Sequence, residues 1–408
     1  MNNTFFPLLF ALLLLGVLAI HQPAHSQSIT PIGSENTLEI ATWNIEWFGS
    51  TSQQPSNDAL QLSNARKVIA ESDIDFWGVQ EISSTTAFDD LLSALGSNYD
   101  GVLATNSGAQ RVGYIYNTDV IRVRQVRHIL ESSEFEFAFR PPLQMEVDVM
   151  LADTTVIMTF IVVHMKAFAD QDGYERRQAA ASRLKNHIDF TTLSSKPVVV
   201  LGDFNDELTN SIYRSETTPY DNFLADTDNY TFLSYPLEMD GFGSFCSGSS
   251  CTTQSSIVDH ILITDELFAE VDIAQPAGVL EQAPEVINAY GASTSDHLPV
   301  YARFTFNGGV ASSNEPEDIP QAFDIQPPFP NPLTSSATLS YSLDTPSHVR
   351  LEIYDLMGRK VWFENQGYVQ SGTHQRLVDL SNQASGTYYL RVSINETMSS
   401  FPLIRAGN

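Results

Sequence analysis

Two kinds of hydrophobic pattern alternate between residues 38 and 306. Short runs that are apolar on both faces, such as 155–163 and 197–201, predict β-strands in a sheet that is covered on both sides. Residues 57–72 and 174–190 instead carry apolar side chains at a spacing near 3.6, which predicts amphipathic helices. The alternation predicts an α/β fold built from layered sheets and helices.

A different pattern begins after residue 306. Residues 307–322 are rich in Gly, Ser, Pro and acidic residues, a composition typical of a linker. From residue 323 to 408, short alternating strands follow one another with turn residues between them and without helical periodicity. We therefore expect an α/β domain over 36–306, a linker over 307–322 and a small all-β sandwich over 323–408.

The amino-terminal segment predicts export. Residues 8–20 form an apolar run that is short for a membrane span, and residues 24–26 have the small-x-small form of a cleavage site. Residues 1–6 contain no Lys or Arg, unlike the usual start of such a leader. We interpret residues 1–26 as a signal peptide, with an uncleaved anchor as the alternative.

Net charge and cysteine content narrow the chemistry. The formal net charge of −28 means that an anionic substrate would need a locally positive site or bound cations, although the simpler interpretation of that charge is solubility. The two cysteines, Cys246 and Cys251, enclose four residues. In an exported chain this spacing favours a local disulfide over a metal or redox pair.

Polar side chains interrupt or end several of the predicted apolar strands. Such groups are costly inside a sheet unless they are paired or bind a cation. In a layered α/β sheet, the ends of several strands converge on one edge, where ligands bind. The residues that share this placement are Asn44, Glu81, His164, Asp203, Asn205, Asp259, Asp296 and His297. We expect these side chains to line one pocket.

The predicted pocket offers oxygen and imidazole groups but no thiol. Such ligands suit a hard cation, Mg²⁺ first and Mn²⁺ or Ca²⁺ as alternatives, and with a His–Asp pair they favour hydrolysis of a phosphate ester. Taken alone, Glu81 could cap a loop or helix, His164 could be a satisfied strand-end histidine, and Asp259 could be a hydrogen-bond hub. Asp203 and Asn205 could form an Asx turn. The chemical interpretation rests on their joint occurrence.

The ordered motifs of this pocket resemble those of the endonuclease/exonuclease/phosphatase superfamily. That superfamily includes pancreatic-type deoxyribonucleases, abasic-site endonucleases, neutral sphingomyelinases and inositol polyphosphate phosphatases. The motifs lie between about Leu38 and Phe306, and in order they are TWNIEWF, VQE, HMK, GDFND, VDHIL and SDHLPV. The resemblance implies a four-layer α/β sandwich, in which two packed mixed sheets are flanked by helices and the site lies at one edge.

The resemblance also implies roles on the metal and water side of the site. Glu81 would be the principal metal ligand, with Asn44 and Asp296 at or near the metal. Asp203 and Asn205 would position the attacking water and the scissile phosphate, so Asn205 is also a substrate-binding residue.

Two histidines would share the proton transfers. His297, oriented by Asp259, would contact the phosphate or act as an acid or base, and His164 resembles the second catalytic histidine. The sequence departs from the deoxyribonuclease-like pattern at one point. Val112 stands where those members carry a carboxylate that supports the residue equivalent to His164.

Cationic side chains near these motifs are candidates for substrate contact. Arg140 resembles the arginine that contacts substrate phosphate in deoxyribonuclease-like members, and its alternative is a surface charge before a Pro-Pro turn. Lys166 and Arg111 are weaker candidates for the same task.

The carboxyl-terminal region resembles a sorting domain of type IX secretion. The resemblance rests on residues 329–333, 349–361 and 385–394. It implies a bacterial protein that is secreted or attached to the cell surface and is handled by the type IX machinery. An adhesive β-sandwich is the alternative.

These observations predict a secreted, divalent-metal-dependent phosphodiesterase. The favoured substrate is nucleic acid, DNA before RNA, and we expect the protein to be a monomer. A phospholipase C-like enzyme such as a sphingomyelinase, or a sugar-phosphate phosphatase, could use the same centre. A catalytically inactive surface-binding module is the alternative from another class, and the intact set of site residues disfavours it.

Overall fold

The computed structural model describes residues 28–34, 36–105, 108–152, 154–251, 254–272, 276–306, 323–355, 359–394 and 397–406. The predicted signal peptide over 1–26 and the predicted linker over 307–322 lie outside these ranges. We keep 36–306 and 323–408 as the proposed domain boundaries. No helix within the described ranges is both long and apolar enough to cross a membrane.

The first domain alternates strands and helices, as the sequence predicts. Its strands are β1 (Leu38–Phe48), β2 (Phe76–Ile82), β3 (Tyr99–Leu103), β4 (Arg111–Asn117), β5 (Ile121–His128), β6 (Leu143–Leu151), β7 (Thr154–His164), β8 (Val198–Asp203), β9 (Tyr230–Phe232), β10 (Phe245–Cys246), β11 (Gln254–Ser256), β12 (Asp259–Thr264), β13 (Ala277–Val279) and β14 (Val300–Phe304). Its helices are α1 (Asp58–Ser72), α2 (Thr85–Leu95), α3 (Gln171–Asp189), α4 (Asp221–Leu224), α5 (Tyr235–Met239), α6 (Ala283–Val286) and α7 (Tyr290–Ser293).

Two six-stranded mixed sheets form the centre of this domain. The first sheet has the order β13-β14-β1-β2-β4-β3 and the second has the order β5-β6-β7-β8-β12-β9. The pairs β1–β2 and β7–β8 are parallel, whereas the neighbouring pairs are antiparallel. Helices α1 and α2 pack on the first sheet and α3 packs on the second. This arrangement confirms the predicted four-layer α/β sandwich.

The alternation along β7 shows how the layers are held. Phe160 and Val162 belong to the core between the sheets, whereas Ile161 and Val163 pack with the apolar face of α3. The Phe160 ring stacks on Phe76 of the first sheet with centroids 4.0 Å apart. Because both faces of β7 are covered, its sequence is mostly apolar, and each large apolar side chain contributes about 1.5–3 kcal/mol by burial.

Two glycines are required by close approach. A Cβ at Gly78 would lie 2.9 Å from the Leu201 side chain of the facing sheet, so the sheets meet closely at β2. Gly202 has φ +156°, and a Cβ there would lie 2.0 Å from the Val163 carbonyl oxygen. Any larger residue before Asp203 would therefore push β8 away from β7.

The C-terminal domain is all-β within its described residues. Its strands are β15 (Phe323–Phe329), β16 (Ser336–Leu343), β17 (Ser347–Asp355), β18 (Lys360–Val369), β19 (Gly372–Asp379), β20 (Gly386–Ile394) and β21 (Thr397–Arg405). They form a three-stranded sheet, β15-β16-β19, and a four-stranded sheet, β18-β17-β20-β21, around one apolar core. The end of α3 touches this domain, where Phe190 stacks on Tyr389 with centroids 4.8 Å apart.

Candidate active site

The strand ends of the second sheet bring three functional groups together. Strands β7 and β8 are parallel and end at His164 and Asp203, which are paired in register. Strand β12 runs antiparallel to β8 and begins at Asp259, directly opposite Asp203. The carboxyl ends of two strands and the start of a third therefore share one edge, as the sequence predicts.

A cleft of about 740 Å³ opens at this edge, between residues of both sheets. The sequence-predicted residues that line it are Asn44, Glu81, Arg140, His164, Lys166, Asp203, Asn205, Asp296 and His297. Asp259 lies behind His297 rather than on the cleft wall. Arg111 is not among the lining residues; its guanidinium donates to the Ser83 carbonyl oxygen at 3.2 Å.

His297 is fixed from behind by Asp259. Its Nδ1 lies 2.7 Å from Asp259 Oδ2, and the same oxygen accepts a hydrogen bond from Ser244 Oγ at 2.7 Å. The His297 carbonyl oxygen accepts from Trp43 Nε1 at 3.1 Å, so the main chain is held as well. Burial alone would lower the pKa of His297, but Asp259 and the neighbouring carboxylates hold that pKa well above its usual value. Asp259 therefore favours the protonated form of the imidazole.

Asp203 is a buried carboxylate oriented by amides. Its Oδ1 accepts from the Asn205 main-chain nitrogen at 2.9 Å, and its Oδ2 accepts from Asn44 Nδ2 at 3.0 Å. Burial raises the pKa of Asp203 to about 7, although the nearby His297 charge acts in the opposite direction. A carboxyl group with this pKa can accept a proton near neutral pH.

His164 faces the same carboxylate but lacks a supporting partner. Its Nε2 lies 3.5 Å from Asp203 Oδ2 and 3.8 Å from Glu81 Oε1. Its Nδ1 is buried and has no hydrogen-bond partner among the described residues. Burial, together with the charges of Arg140 and His297, holds the pKa of His164 well below its usual value. The ring is therefore neutral, in line with the absence of a carboxylate at Val112.

The first sheet supplies the oxygen-rich side of the cleft. Asn44 Nδ2 bridges Asp203 and Glu81, with a donor distance of 3.2 Å to Glu81 Oε1. Glu81 adopts φ +61° and accepts the Trp47 main-chain nitrogen at 3.0 Å through its other oxygen. A non-glycine residue rarely adopts this backbone conformation, and strain of this kind clusters at functional sites.

Glu46 is a site residue that the motif analysis missed. It lines the cleft, and its Oε2 accepts a hydrogen bond from the Asp296 main-chain nitrogen at 3.1 Å. Burial and the charges of Asp296 and Glu81 raise the pKa of Glu46 to about 8. Its position two residues after Asn44 on β1, and so on the same face of the strand, was the available signal.

These groups fit a hard divalent cation. Glu46, Glu81 and Asp296 line the cleft together with the Asn44 amide, and the negative charges of the carboxylates repel one another. A bound cation would offset this repulsion, and Mg²⁺ and Ca²⁺ prefer the oxygen ligands that these residues offer. Among the described residues, the group of acidic and histidine side chains whose ligand atoms all lie within 4.8 Å of one another is formed by Asp203, Asp259 and His297. Asp259 and His297 share a hydrogen bond there, while Glu81 and Glu46 accept hydrogen bonds from the main-chain nitrogens of Trp47 and Asp296.

Arg140 and Lys166 contribute positive charge to the cleft, whose lining also includes Arg176. Arg140 is half-buried and donates to the Met165 carbonyl oxygen at 2.8 Å and to Gln110 Oε1 at 2.9 Å. Burial lowers the pKa of Arg140 to about 10, which leaves it charged at neutral pH. Lys166 is also half-buried, and burial lowers its pKa. Both side chains are therefore positioned to meet an anionic group.

A buried ion pair supports the loop that carries Lys166. Arg177 Nε donates to Asp206 Oδ2 at 2.8 Å, and both side chains are fully buried. Arg177 Nη1 also donates to the carbonyl oxygens of Lys166 at 2.7 Å and Phe168 at 3.0 Å. Asp206 follows Asn205 directly, so the chain segment that shapes the catalytic edge also anchors the neighbouring loop.

The predicted disulfide is present next to the site. Cys246 and Cys251 are bonded, with Cα atoms 5.2 Å apart. The Cys246 main-chain nitrogen donates to the Asp296 carbonyl oxygen at 2.8 Å. The bond therefore shapes the segment that holds Asp296 in place.

Comparison with known proteins identifies a family for the α/β region and another for the C-terminal region. Residues 41–297 match the Endonuclease/Exonuclease/phosphatase family. Residues 328–404 match a Secretion system C-terminal sorting domain. Among curated proteins, no sequence matches the chain.

Several solved structures are similar to the first domain. An endonuclease/exonuclease/phosphatase family protein from Bacteroides thetaiotaomicron is 18% identical, with a TM-score of 0.48, over 66% of this chain and 98% of that chain. A mannosyl-6-phosphatase from Bacteroides thetaiotaomicron VPI-5482 is 18% identical, with a TM-score of 0.46, over 66% and 100%. TDP2 from D. rerio, complexed with a single strand DNA product, is 13% identical, with a TM-score of 0.45, over 66% and 99%.

Proposed function

The chain belongs to the endonuclease/exonuclease/phosphatase family of metal-dependent phosphoric ester hydrolases, and from this premise we propose that it is a nuclease. It would hydrolyse phosphodiester bonds of DNA, with RNA as an alternative, and act as a monomer. Its C-terminal sorting domain marks it as a bacterial protein that is secreted or attached to the cell surface and that interacts with the type IX secretion system.

The observation that carries the nuclease proposal is a group of cationic side chains that stands in the cleft beside its carboxylates. His297, Arg140 and Lys166 all line it, in a chain whose formal net charge is −28. A surface of that charge repels a polyanion at long range, so a polyanionic substrate needs such a local positive site. A phosphodiester of a nucleic acid has the charge that this cleft would attract.

Glu81, Asn44 and Asp296 would hold the divalent cation, with Glu46 next to them. We propose Mg²⁺, with Mn²⁺ or Ca²⁺ as alternatives. When bound, the cation would neutralise charge on the phosphate oxygens. The protein would then have to position water, transfer protons and hold the substrate.

The remaining residues divide these tasks. Asp203, held by the Asn205 main chain, would orient the attacking water and take one of its protons as the new oxygen–phosphorus bond forms. His297 Nε2 would contact the phosphate and give a proton to the leaving oxygen as its bond to phosphorus breaks. His164 would assist as a neutral hydrogen-bonding group, and Arg140 and Lys166 would bind phosphate. Asn205, which is part of the cleft wall, would contact the scissile phosphate.

A phospholipase C-like activity is the second candidate. The exposed rings of Phe139 and Phe168 line the cleft, and apolar groups at an active-site mouth suit a lipid substrate. A sugar-phosphate phosphatase would use the same catalytic groups, with less need for an apolar mouth.

A plasmid-nicking assay tests the proposal. The chain from residue 28 onward is incubated with supercoiled plasmid and Mg²⁺, Mn²⁺ or Ca²⁺, beside a chelator control. We expect nicking that requires metal and is lost in His297→Ala but retained in His374→Ala, which changes a half-buried histidine of the C-terminal domain. If the folded protein left both the plasmid and a single-stranded oligonucleotide intact, the nuclease proposal would be refuted, and sphingomyelin and phosphorylated sugars would then be tested in their place.

A further inference from the structure

Three phenylalanines are exposed beside the catalytic cleft. The rings of Phe135, Phe139 and Phe168 are 53%, 57% and 69% exposed, and Phe139 and Phe168 line the cleft together with Arg140 and Lys166. We call Phe135, Phe139 and Phe168 the aromatic rim. Exposed rings next to an anion-binding cleft bear on which substrate enters it.

Each end of the rim has a cation on a ring face. Lys166 Nζ lies 4.4 Å from the centroid of Phe168, and the Arg176 guanidinium lies 4.1 Å from the centroid of Phe135. The Phe139 ring meets Phe135 edge to face, with centroids 6.0 Å apart. A cation on one face of a ring leaves the other face for a planar partner.

Two of these phenylalanines have backbone conformations that are rare for residues other than glycine. Phe139 has φ +60° and Phe168 has φ +82°, values that are unfavourable for bulky side chains. Such conformations persist only where the surroundings impose them. The Phe168 carbonyl oxygen is held at 3.0 Å by Arg177, and the Phe139 main-chain nitrogen donates to the Glu134 carbonyl oxygen at 2.6 Å. The rings are therefore presented on anchored loops.

We propose that the aromatic rim stacks against unpaired bases, so that the enzyme selects single-stranded nucleic acid over duplex. The inference rests on the proposed nuclease function and narrows its substrate. Bases in a duplex are covered by their neighbours, whereas unpaired bases offer free faces to aromatic side chains, with phosphates free to reach nearby cations. Exposed rings beside Arg140 and Lys166 would offer a single strand both stacking surfaces and phosphate contacts.

The charges on the rim favour this occupant over a lipid surface. Insertion of Phe168 or Phe135 into hydrocarbon would bring Lys166 or Arg176 with it, and burying such a charge without a partner is costly. Stacking on a base leaves both cations in water or beside phosphate, where they add favourable electrostatics. The rim therefore fits a nucleotide strand better than acyl chains.

A binding experiment with three probes tests the proposal. In the His297→Ala background, which prevents cleavage, fluorescence anisotropy measures the affinity for a labelled single strand, for the same strand lacking its bases, and for the matched duplex. We compare the double variant Phe139→Leu/Phe168→Leu with the control Phe268→Leu, which alters an exposed phenylalanine away from the cleft. Leucine keeps apolar surface but removes the aromatic plane.

We expect the double variant to lose roughly 5- to 100-fold in affinity for the single strand, as one stacked base is usually worth. Its affinity for the baseless strand and the duplex should match the control. An equal loss on all three probes, or no loss on any, overturns the stacking proposal. Loss of binding to phosphatidylcholine vesicles, with oligonucleotide affinity unchanged, would assign the rim to a membrane surface and overturn it as well.

Cleavage by the protein with His297 intact separates this inference from the proposed function. If metal-loaded protein cleaves single strand and duplex at equal rates and the double variant does the same, the nuclease proposal stands and the stacking proposal falls. If it neither binds nor cleaves any nucleic acid, the nuclease proposal falls and takes the stacking proposal with it.

Discussion

The Nδ1 atom of His297 lies 2.7 Å from Oδ2 of Asp259, and Asp259 is fully buried behind it. The carboxylate therefore sets which edge of the imidazole points into the cleft. Since Nδ1 is committed to this bond, Nε2 is the atom left to meet the substrate. The pair therefore fixes which nitrogen of His297 can take part in the reaction.

Removing the charge of Asp259 should disable His297 without removing it. In Asp259→Asn the imidazole loses the carboxylate that raises its pKa, so we expect that pKa to fall and the protonated fraction at neutral pH to fall with it. We expect kcat to drop on the order of 10²–10⁴-fold, the usual contribution of general acid–base catalysis. Ser244→Ala removes a second bond to the carboxylate and the bonds that the Val258 and Asp259 main-chain nitrogens donate to the hydroxyl, but it leaves the carboxylate charge in place. We therefore expect it to lower kcat much less. A histidine titration followed by NMR and a pH–rate profile check both points, and an unchanged His297 pKa would contradict the first.

Divalent metal should stabilise the fold through Glu81. Binding to the native state alone adds about 2.7 kcal/mol when the metal concentration is a hundred times its Kd, so Mn²⁺ should raise the Tm of the native sequence. In Glu81→Gln we expect most of this rise to vanish, because one anionic ligand is lost. Glu131→Gln, an exposed substitution away from the cleft, should keep it. Thermal unfolding with and without Mn²⁺ measures the effect, and an equal rise in Glu81→Gln would exclude that residue as a ligand.

A carboxylate away from the site should make stability depend on pH. Burial and the charges of Glu39 and Asp73 raise the pKa of Asp75 to about 7, so the fold favours its neutral form. Ionisation then costs stability at every pH above the unfolded pKa of about 4, and the cost grows until pH 7. Asp75→Asn should therefore be more stable than the native sequence by about 1–3 kcal/mol at pH 8 and equal to it at pH 4.

Urea unfolding at the two pH values tests this prediction for Asp75. The exposed substitution Asp119→Asn provides the matched change in net charge and should show no such pH dependence. A stabilisation of Asp75→Asn that is the same at pH 4 and pH 8 would mean that a cause other than ionisation is responsible.

The sequence predicted the layers of the fold because the relevant signals are local. Apolar runs such as that of β7, and the helical spacing of α1 and α3, follow directly from which faces are covered. The convergence of Asp203, His164 and Asp259 was also predictable, since strand ends of a layered sheet share an edge. These three residues come together because of the layered sheet topology, which the hydrophobic periodicity of the strands and helices predicts.

Other features of the site depend on contacts that no local pattern encodes. Glu46 becomes a cleft residue only because β14 brings Asp296 against β1, and Arg177 acts on the Phe168 loop from the middle of a helix. Phe139 and Phe168 are exposed on loops where they adopt positive φ values, and no local sequence pattern predicts those values. Arg111, in contrast, looked suitable in sequence but turns away to the Ser83 carbonyl.

The disulfide should matter for both stability and the metal. Closing so short a loop is worth about 2 kcal/mol, so Cys246→Ser/Cys251→Ser should lower the free energy of unfolding by about that amount. The main chain of Cys246 holds Asp296, so we also expect a weaker apparent affinity for Mn²⁺. Urea unfolding and Mn²⁺ titration of the double variant measure the two effects. An unchanged Mn²⁺ affinity would show that backbone hydrogen bonds alone keep Asp296 in place.

The position of the Cys246–Cys251 disulfide links export to the structure of the cleft. Thiols of a chain that is still in the cytoplasm remain reduced, whereas those outside it become oxidised. The Cys246–Cys251 bond beside Asp296 would therefore form only after export. A nuclease of the proposed kind would lack this part of its site for as long as it shares a compartment with the chromosome of the cell that makes it.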